Sequence, residues 1–241
     1  MRDAAGRRTS FGGYYAADAL LFRQGRGLAA VLFDFDGTLA VPTLDFALMR
    51  AKTLEALAPF AREPFRPEAM IVEELDRVAS LLSPEEAEAA RRAAFAAIEA
   101  VEMEAASRSS LFPFVRPMLA ALQGKKIAVG IITRNFPSAV FTVFPDLRAH
   151  ASCILTREDV ARVKPHPDHL ERAFLRLGVS PETTLMVGDH PTDIQVGKKT
   201  GARTAGVGTG EGSRERLARE SPDFLAADAG ELMRGLAIWE D

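Results

Sequence analysis

The chain has 241 residues and is 47% hydrophobic, enough for one large α/β domain carrying an insertion, whereas two independent full domains would be a tight fit. Its formal net charge is −3, from 30 basic and 33 acidic residues mixed along the chain, so nucleic acid is not an expected partner. No stretch approaches the roughly 20 apolar residues that span a bilayer, which argues against a membrane protein. The single cysteine, Cys153, excludes an internal disulfide and favours a cytoplasmic location.

Residues 1–27 contain early arginines but neither a long apolar run nor a convincing cleavage site, so they are expected to form an N-terminal extension and not a signal peptide. Within them, Tyr14–Phe22 could form a short amphipathic helix, with a flexible extension as an equal alternative. From Leu28, the letters LAAVLFDFDG form a short apolar run that stops at acidic residues and glycine. This pattern predicts a buried parallel strand that ends near Asp34 in a functional turn.

Three helices are predicted between about Leu44 and Ser110, and this block carries no strand signal. The third helix opens with the letters SPEE, where Ser83 can cap the helix and Glu86 can complete a capping box. Its alanine-rich continuation also favours helix. Because strands both precede and follow this block, residues 42–112 are interpreted as an all-helical insertion.

Strands and helices alternate regularly after the insertion. The predicted strands are KIAVGIIT, the short CILT, TLMVGD and RTAGVG, with helices between them. Such βα repetition predicts a parallel, doubly wound sheet with right-handed crossovers. The predicted fold class is therefore α/β, with segments 28–41 and 113–241 forming the core.

Polar residues follow several of these strands. Asp34, Thr133 and Asp189 each come at the end of a predicted strand, and Lys164 lies in a loop before a helix. Taken singly, Thr133 is more simply a turn residue and Lys164 an exposed loop lysine. In this class of sheet, however, ligands bind beyond the carboxyl ends of the strands, so these groups are expected to converge at one edge.

The segment DFDGT, residues 34–38, carries two carboxylates separated by one residue. They can aim in different directions because the chain leaves extended geometry at the glycine, so Asp34 can face a substrate while Asp36 reaches the leaving group. An isolated Asp-Gly turn would explain the segment equally well. With Asp189 and Asp193 nearby, several negative charges would crowd a small volume, which raises carboxyl pKa values unless a cation binds. Magnesium, which prefers oxygen ligands, is the predicted cation.

The ordered segments DFDGT, IITRN, VKPHPD and VGDHPTDI resemble the four motifs of the haloacid dehalogenase superfamily. The resemblance covers the chain from about Leu28 to the C-terminus. It implies a Rossmann-like core with a helical cap domain inserted after the first motif. It further implies that Asp34 is the nucleophile and that Asp36 is the general acid and base.

The same resemblance assigns roles to the remaining motif residues. Residues expected to bind the substrate phosphate are Gly37, Thr133, Arg134 and Lys164. Magnesium is expected to be held by Asp34, Asp189 and the backbone carbonyl of Asp36. Asp193 is expected to support either the metal site or Lys164.

Three histidines lie beside these motifs. His190 stands where many relatives carry a small hydroxyl residue, and it is more simply a partly exposed turn histidine. His166 and His169 form an HxxH pattern, but their place at a helix start beside Lys164 and the lack of a third ligand argue against zinc. Both are therefore predicted to be surface groups.

The implied function is magnesium-dependent hydrolysis of a small phosphorylated metabolite through an aspartyl-phosphate. A sugar-phosphate mutase of the same superfamily is the nearest alternative, and a catalytically retired phosphate-binding protein is another. A retired protein would be expected to lack Asp34, Asp36, Lys164 or Asp189, and all four are present. The cap sequence contains no recognisable specificity signature, so the expectation stops at a small phosphomonoester such as phosphoglycolate or a sugar phosphate. The sequence predicts no oligomeric state.

Overall fold

The computed structural model describes residues 14–15, 27–67, 71–208 and 213–240. Most of the predicted N-terminal extension, including residues 16–22 of the helix considered there, lies outside the described residues. The chain divides into two compact units, one formed by Met1–Pro42 with Ser110–Asp241 and the other by Thr43–Ser109. In the described part of the chain, no helix is both long and apolar enough to cross a membrane.

Among the described residues, the first unit contains a seven-stranded sheet. Its strands are β1 (Tyr14–Tyr15), β2 (Ala30–Phe33), β3 (Ala128–Ile132), β4 (Cys153–Leu155), β5 (Thr184–Gly188), β6 (Arg203–Val207) and β7 (Phe224–Ala226). They lie in the order β1-β7-β6-β5-β2-β3-β4, and all neighbours are parallel except β1 and β7. Because β2 lies between β3 and β5, the strand order reverses beside β2. In open α/β sheets this switch point is where ligands bind.

Helices cover both faces of this sheet. Numbered along the whole chain, they are α4 (Val115–Gly124), α5 (Pro137–Val143), α6 (Asp168–Leu177), α7 (Pro191–Thr200), α8 (Ser213–Arg219) and α9 (Ala229–Gly235). Alternate residues of β2 point to opposite faces, so Leu32 packs in a cluster with Leu170 of α6, whereas Phe33 packs in another with Leu119 of α4 and Leu232 of α9. The sheet is thus wound on both sides, and the predicted α/β class is confirmed.

The second unit is helical. Its helices are α1 (Phe46–Leu57), α2 (Ile71–Ser80) and α3 (Pro84–Ala106). The predicted capping box at the start of α3 is confirmed, because Ser83 accepts from the Glu86 backbone N–H while the Glu86 side chain accepts from the Ser83 N–H. Leu57, Leu75 and Ala90 form part of an apolar cluster that joins the three helices.

The end of the sheet differs from the sequence prediction. The sequence predicts strands only as far as β6, and the structure adds α8, β7 and α9 after it. Strand β7 has only three residues, FLA, too few for alternation to show in the sequence. Tyr14 and Tyr15 are extended and pair antiparallel with β7, so the helix considered for this stretch is wrong at these two residues. Such pairing depends on a distant part of the chain, which local sequence does not reveal.

Candidate active site

Asp34 lies directly after β2, at the centre of the sheet. Its backbone N–H donates to the Val187 carbonyl of β5 at 2.8 Å, which continues the sheet ladder by one residue. Its carboxylate Oδ1 accepts from the Phe35 N–H at 2.7 Å, and the Phe35 side chain is fully buried. The Asp34 carboxylate is therefore held at the carboxyl edge of the sheet, where the strand order reverses.

Gly37 makes a close approach possible between two motifs. Its φ of 73° is in the left-handed region, and its N–H closes the turn by donating to the Ala40 carbonyl at 2.8 Å. A Cβ at this position would collide with the carboxylate of Asp189. Only glycine lets the DFDGT turn pack against Asp189, so its first role in this structure is steric.

Lys164 is buried among carboxylates. Its side chain is 1% exposed, and Nζ lies 2.9 Å from Asp34 Oδ1 and 2.6 Å from Asp193 Oδ1. The Lys164 ammonium has three N–H donors, so it can contact both carboxylates and keep one donor for a ligand. Burial by itself lowers the pKa of Lys164, but the charges of Asp193 and Asp34 raise it above its ordinary value. Lys164 is therefore a fixed cation, and the predicted exposed-loop alternative is excluded.

Three carboxylates converge beside this lysine. One oxygen from each of Asp34, Asp189 and Asp193 lies within 4.8 Å of the others, in an arrangement that could hold a metal ion. Burial, and after it the charge of Asp34, raises the pKa of both Asp189 and Asp193. One lysine does not neutralise three carboxylates. The donor set is entirely oxygen, so these residues fit a hard divalent cation.

Asp36 is held by Asn135, a residue that the motifs did not assign to the site. The amide Nδ2 of Asn135 donates to Asp36 Oδ2 at 2.5 Å, and the Asn135 N–H donates to Thr133 Oγ1 at 3.1 Å. Burial raises the pKa of Asp36 to about 6, with the Asn135 hydrogen bond acting in the opposite direction and the Asp34 charge adding to the rise. Asp36 can thus carry a proton close to neutral pH. The only sequence signal for Asn135 was its place two residues after Thr133.

Thr133 and Arg134 follow β3 in the same loop. Thr133 is buried, and its N–H donates to the Leu155 carbonyl at the end of β4, 3.0 Å away. The Arg134 carbonyl accepts from Arg157 Nε at 2.7 Å. The charge of Arg134 also lowers the pKa of Asp36, as the smallest of several contributions.

His190 is the N-cap of α7. Its Nδ1 accepts from the Thr192 N–H at 3.3 Å, and its own N–H donates to Asp193 Oδ2 at 3.1 Å. Burial, and after it the charge of Arg134, lowers the pKa of His190 to about 4. The neutral His190 side chain therefore caps the start of α7, and the His190 backbone N–H orients the Asp193 carboxylate.

The prediction for His169 was wrong. His166 is partly exposed, but His169 is fully buried on the first turn of α6. It shares the inner face of that helix with Leu170, Ala173 and Phe174, all of which are buried. The spacing from His169 to Ala173 is four residues, so helical periodicity could have revealed the burial. A polar residue on an otherwise apolar face was read as a surface group instead.

Comparisons with known proteins agree with this fold. Residues 31–207 match the family model of haloacid dehalogenase-like hydrolases. The pyrophosphatase PpaX of Anoxybacillus flavithermus is 37% identical over 119 residues, which cover 48% of this chain and 55% of that protein. The phosphoglycolate phosphatase of Escherichia coli K12 is 32% identical over 130 residues, 53% of this chain and 52% of that protein. The chain thus spans about half the length of the curated relatives it matches.

Solved structures resemble this chain over most of its length. A variant of CbbY from Rhodobacter sphaeroides, in complex with xylulose-(1,5)bisphosphate, has a TM-score of 0.62 and 24% identity, covering 87% of this chain and 99% of that one. A phosphonoacetaldehyde hydrolase-like protein from Oleispira antarctica has a TM-score of 0.63 and 18% identity, covering 90% and 93%. At these identities the likeness establishes the fold alone.

Proposed function

Because the chain belongs to the haloacid dehalogenase-like hydrolase family, we propose that it hydrolyses a phosphate monoester, with Asp34 as the nucleophile. The observation that carries the proposal is the convergence of Asp34, Asp189 and a buried Lys164 at the switch point of the sheet. A buried lysine beside the proposed nucleophile suits a phosphoryl group, because its positive charge offsets the negative charge on the phosphate oxygens. The relatives named phosphatases support the same reaction class.

The proposed first half-reaction forms a covalent intermediate. A carboxylate oxygen of Asp34 attacks phosphorus in line, and the bond from phosphorus to the leaving oxygen breaks. Asp36 gives its proton to that oxygen, which is consistent with its raised pKa of about 6. Lys164 and the Thr133 hydroxyl offset the charge on the phosphate oxygens.

The proposed second half-reaction releases phosphate. Asp36, now a carboxylate, removes a proton from water, and the resulting hydroxide attacks phosphorus in the aspartyl-phosphate. Inorganic phosphate leaves and the Asp34 carboxylate is restored. Asn135 would keep Asp36 aimed at the reacting oxygen in both steps, because it holds one carboxylate oxygen and leaves the other for proton transfer.

We further propose that the metal is Mg²⁺, held by Asp34, Asp189 and the backbone carbonyl of Asp36. When bound, it would supply the positive charge that three clustered carboxylates and one lysine leave unbalanced. Asp193 would support the site through its ion pair with Lys164. The substrate is proposed to be a small phosphorylated metabolite, such as phosphoglycolate or a sugar phosphate.

A substrate panel tests this function. The purified protein is incubated with Mg²⁺ and phosphoglycolate, pyrophosphate, sugar phosphates or an aryl phosphate, and released phosphate is measured. We expect release from at least one small monoester, its loss when EDTA is added, and its loss in Asp34→Asn. Asp76→Asn, which removes an exposed carboxylate of the helical unit, is the matched control. Undiminished turnover by Asp34→Asn would sink the proposal, and isomerisation without phosphate release would favour a mutase.

A further inference from the structure

His169 is a buried histidine that the proposed reaction does not use. Its side chain is fully buried, and both ring nitrogens meet backbone groups. Nδ1 accepts from the Lys164 N–H at 3.3 Å, and Nε2 lies 3.3 Å from the Leu155 carbonyl oxygen. Because a carbonyl can only accept, Nε2 must carry the proton. One neutral tautomer therefore satisfies both contacts.

The charged form of this histidine does not fit the same surroundings. A proton on Nδ1 would point at the Lys164 N–H, so the protonated ring would lose that bond and gain a repulsion. In agreement with this geometry, burial, and after it the charge of Lys164, lowers the pKa of His169 to about 3. His169 is thus a neutral side chain that accepts a hydrogen bond from the Lys164 N–H and donates one to the Leu155 carbonyl.

The loop that carries Lys164 has few backbone donors, although its Pro165 carbonyl accepts from Lys199 Nζ at 3.2 Å. Pro165 and Pro167 have no backbone N–H, and the His166 N–H donates to the Val163 carbonyl within the loop at 3.0 Å. The Lys164 N–H is therefore the donor through which this segment is fastened to His169 on α6.

The other end of the connection is also part of the site. The Leu155 carbonyl, at the end of β4, accepts from the Thr133 N–H at 3.0 Å as well as from His169. Thr133 and Lys164 are both proposed to bind the phosphoryl group. One carbonyl and one imidazole thus connect the backbones of these two residues.

We propose that His169 is a positioning residue that fixes the backbone of Lys164 relative to Thr133, so that the Lys164 ammonium stays between Asp34 and Asp193. This inference rests on the proposed function, because it assigns His169 to the phosphate-binding part of that site. The side chain is not proposed to touch the substrate. Its effect passes through Lys164, since a displacement of about 1 Å at such a group can cost on the order of a hundredfold in rate.

Three substitutions distinguish the contributions of the two His169 hydrogen bonds. His169→Asn places an amide oxygen near the position of Nδ1 and keeps an acceptor for the Lys164 N–H. His169→Gln places an amide nitrogen near the position of Nε2 and keeps a donor for the Leu155 carbonyl. His169→Leu removes both bonds while filling the space. Each variant is checked for folding by circular dichroism and thermal melting.

Calorimetry measures the binding of inorganic phosphate to the whole 241-residue chain, with and without Mg²⁺. Steady-state kinetics measure kcat/KM on an aryl and an alkyl phosphate. We expect His169→Leu to weaken phosphate binding about tenfold or more, as the loss of two hydrogen bonds predicts. Losses in kcat/KM should be equal on the two substrates, because Lys164 acts on the phosphoryl group and not on the leaving group. His169→Asn should retain more phosphate affinity than His169→Gln.

Phosphate binding by folded His169→Leu equal to that of the unsubstituted protein would overturn the inference, whether or not the protein is an enzyme. If His169→Leu does not fold, equal phosphate affinity in His169→Asn and His169→Gln would overturn it instead. Weakened phosphate binding in these variants, with no turnover of any substrate by the unsubstituted protein, would reject the proposed function and support the positioning role. An unsubstituted protein that does not bind phosphate would contradict both.

Discussion

Asp36 and Asn135 show how a single hydrogen bond can set the geometry of an acid. The amide donates to one oxygen of Asp36 at 2.5 Å, and Asn135 is itself tied to Thr133 through its backbone N–H. Asp36 thereby has a fixed direction although it lies in a turn. The sequence predicted the acid but not its partner, because a contact across 99 positions leaves no local pattern.

Asn135→Ala should therefore impair the acid step selectively. We expect kcat/KM on an alkyl phosphate to fall by about tenfold or more, within the range that general acid catalysis contributes, and to fall less on an aryl phosphate. The reason is that an aryl oxide leaves with little need for a proton. Asp36→Asn, assayed with the same two substrates, gives the upper limit of the effect. Equal losses on both substrates in Asn135→Ala would argue against a role through Asp36.

The burial of polar residues was the least predictable property of single positions. Lysine usually lies at the surface and histidine is intermediate, so the sequence offers a surface alternative for Lys164 and predicts a surface position for His169. Their burial depends on partners brought from other strands and loops, namely Asp34, Asp193 and the Leu155 carbonyl. Sequence can identify the candidates, but it does not give the distances that turn them into ion pairs and hydrogen bonds.

Secondary-structure elements with strong local signals were predicted well. Strands β2, β3 and β5 are short apolar runs followed by polar residues, and the start of α3 is specified by its own capping residues. Strand β7 and helices α8 and α9 were missed because their short lengths carry little periodicity.

Helix α2 contains a buried acid that should stabilise the helical unit. The side chain of Glu74 is fully buried and lies 2.6 Å from Arg77 and 3.1 Å from Arg66. The hydrogen bond from Arg77, followed by weaker contributions from Arg66 and opposed by burial, lowers the pKa of Glu74 from 4.5 to about 2. Because the folded pKa lies below the usual value, this stabilisation is complete above pH 4.5 and is lost as the pH falls through about 2.

Glu74→Gln should reduce the free energy of unfolding by about 2 kcal/mol at pH 7, the order expected for lost hydrogen bonds between charged groups. Urea titrations at pH 7 and at pH 3 measure the change, and the difference between the two proteins should shrink at the lower pH. Glu73→Gln, at the exposed neighbouring position on α2, is the control. The account of Glu74 is wrong if the two variants lose the same stability.

At the scale of the whole molecule, the order of strands brings the site together. Asp34, Thr133 and Asp189 follow β2, β3 and β5, which are neighbours in the sheet. The sequence predicted that their strand ends share one edge, but not which strands lie side by side. That information depends on the packing of helices on both faces, and it explains why the site could be proposed from sequence while its contacts could not.

The chain leaves the core near Pro42 and returns to it near Ser110, and these two segments are hydrogen-bonded to each other. The Val41 N–H donates to the Ser110 carbonyl at 2.8 Å, and the Phe112 N–H donates to the Leu39 carbonyl at 3.0 Å. Replacing Thr43–Ser109 with a short glycine-serine linker should therefore leave the sheet undisturbed. We propose that this unit is the cap that selects the organic part of the substrate.

The capless protein should retain weak hydrolysis of an aryl phosphate and lose its preference among natural substrates, because the core alone binds the phosphoryl group. Catalytic efficiencies of the two proteins across one substrate panel measure this. A capless core that folds and keeps the substrate ranking of the full chain would locate specificity in core loops, such as the one containing Arg134 and Asn135.

The central claim, that Asp34 attacks phosphorus, is tested most directly by trapping the intermediate. Asp36→Asn is mixed with an aryl phosphate and Mg²⁺, quenched in acid and reduced with borohydride, which converts an acyl phosphate to an alcohol. Peptide mapping by mass spectrometry should then find homoserine in place of Asp34, and Asp34→Asn carried through the same procedure should show no such product. Reduction at another carboxylate, or turnover with no reduced residue at position 34, would contradict the account.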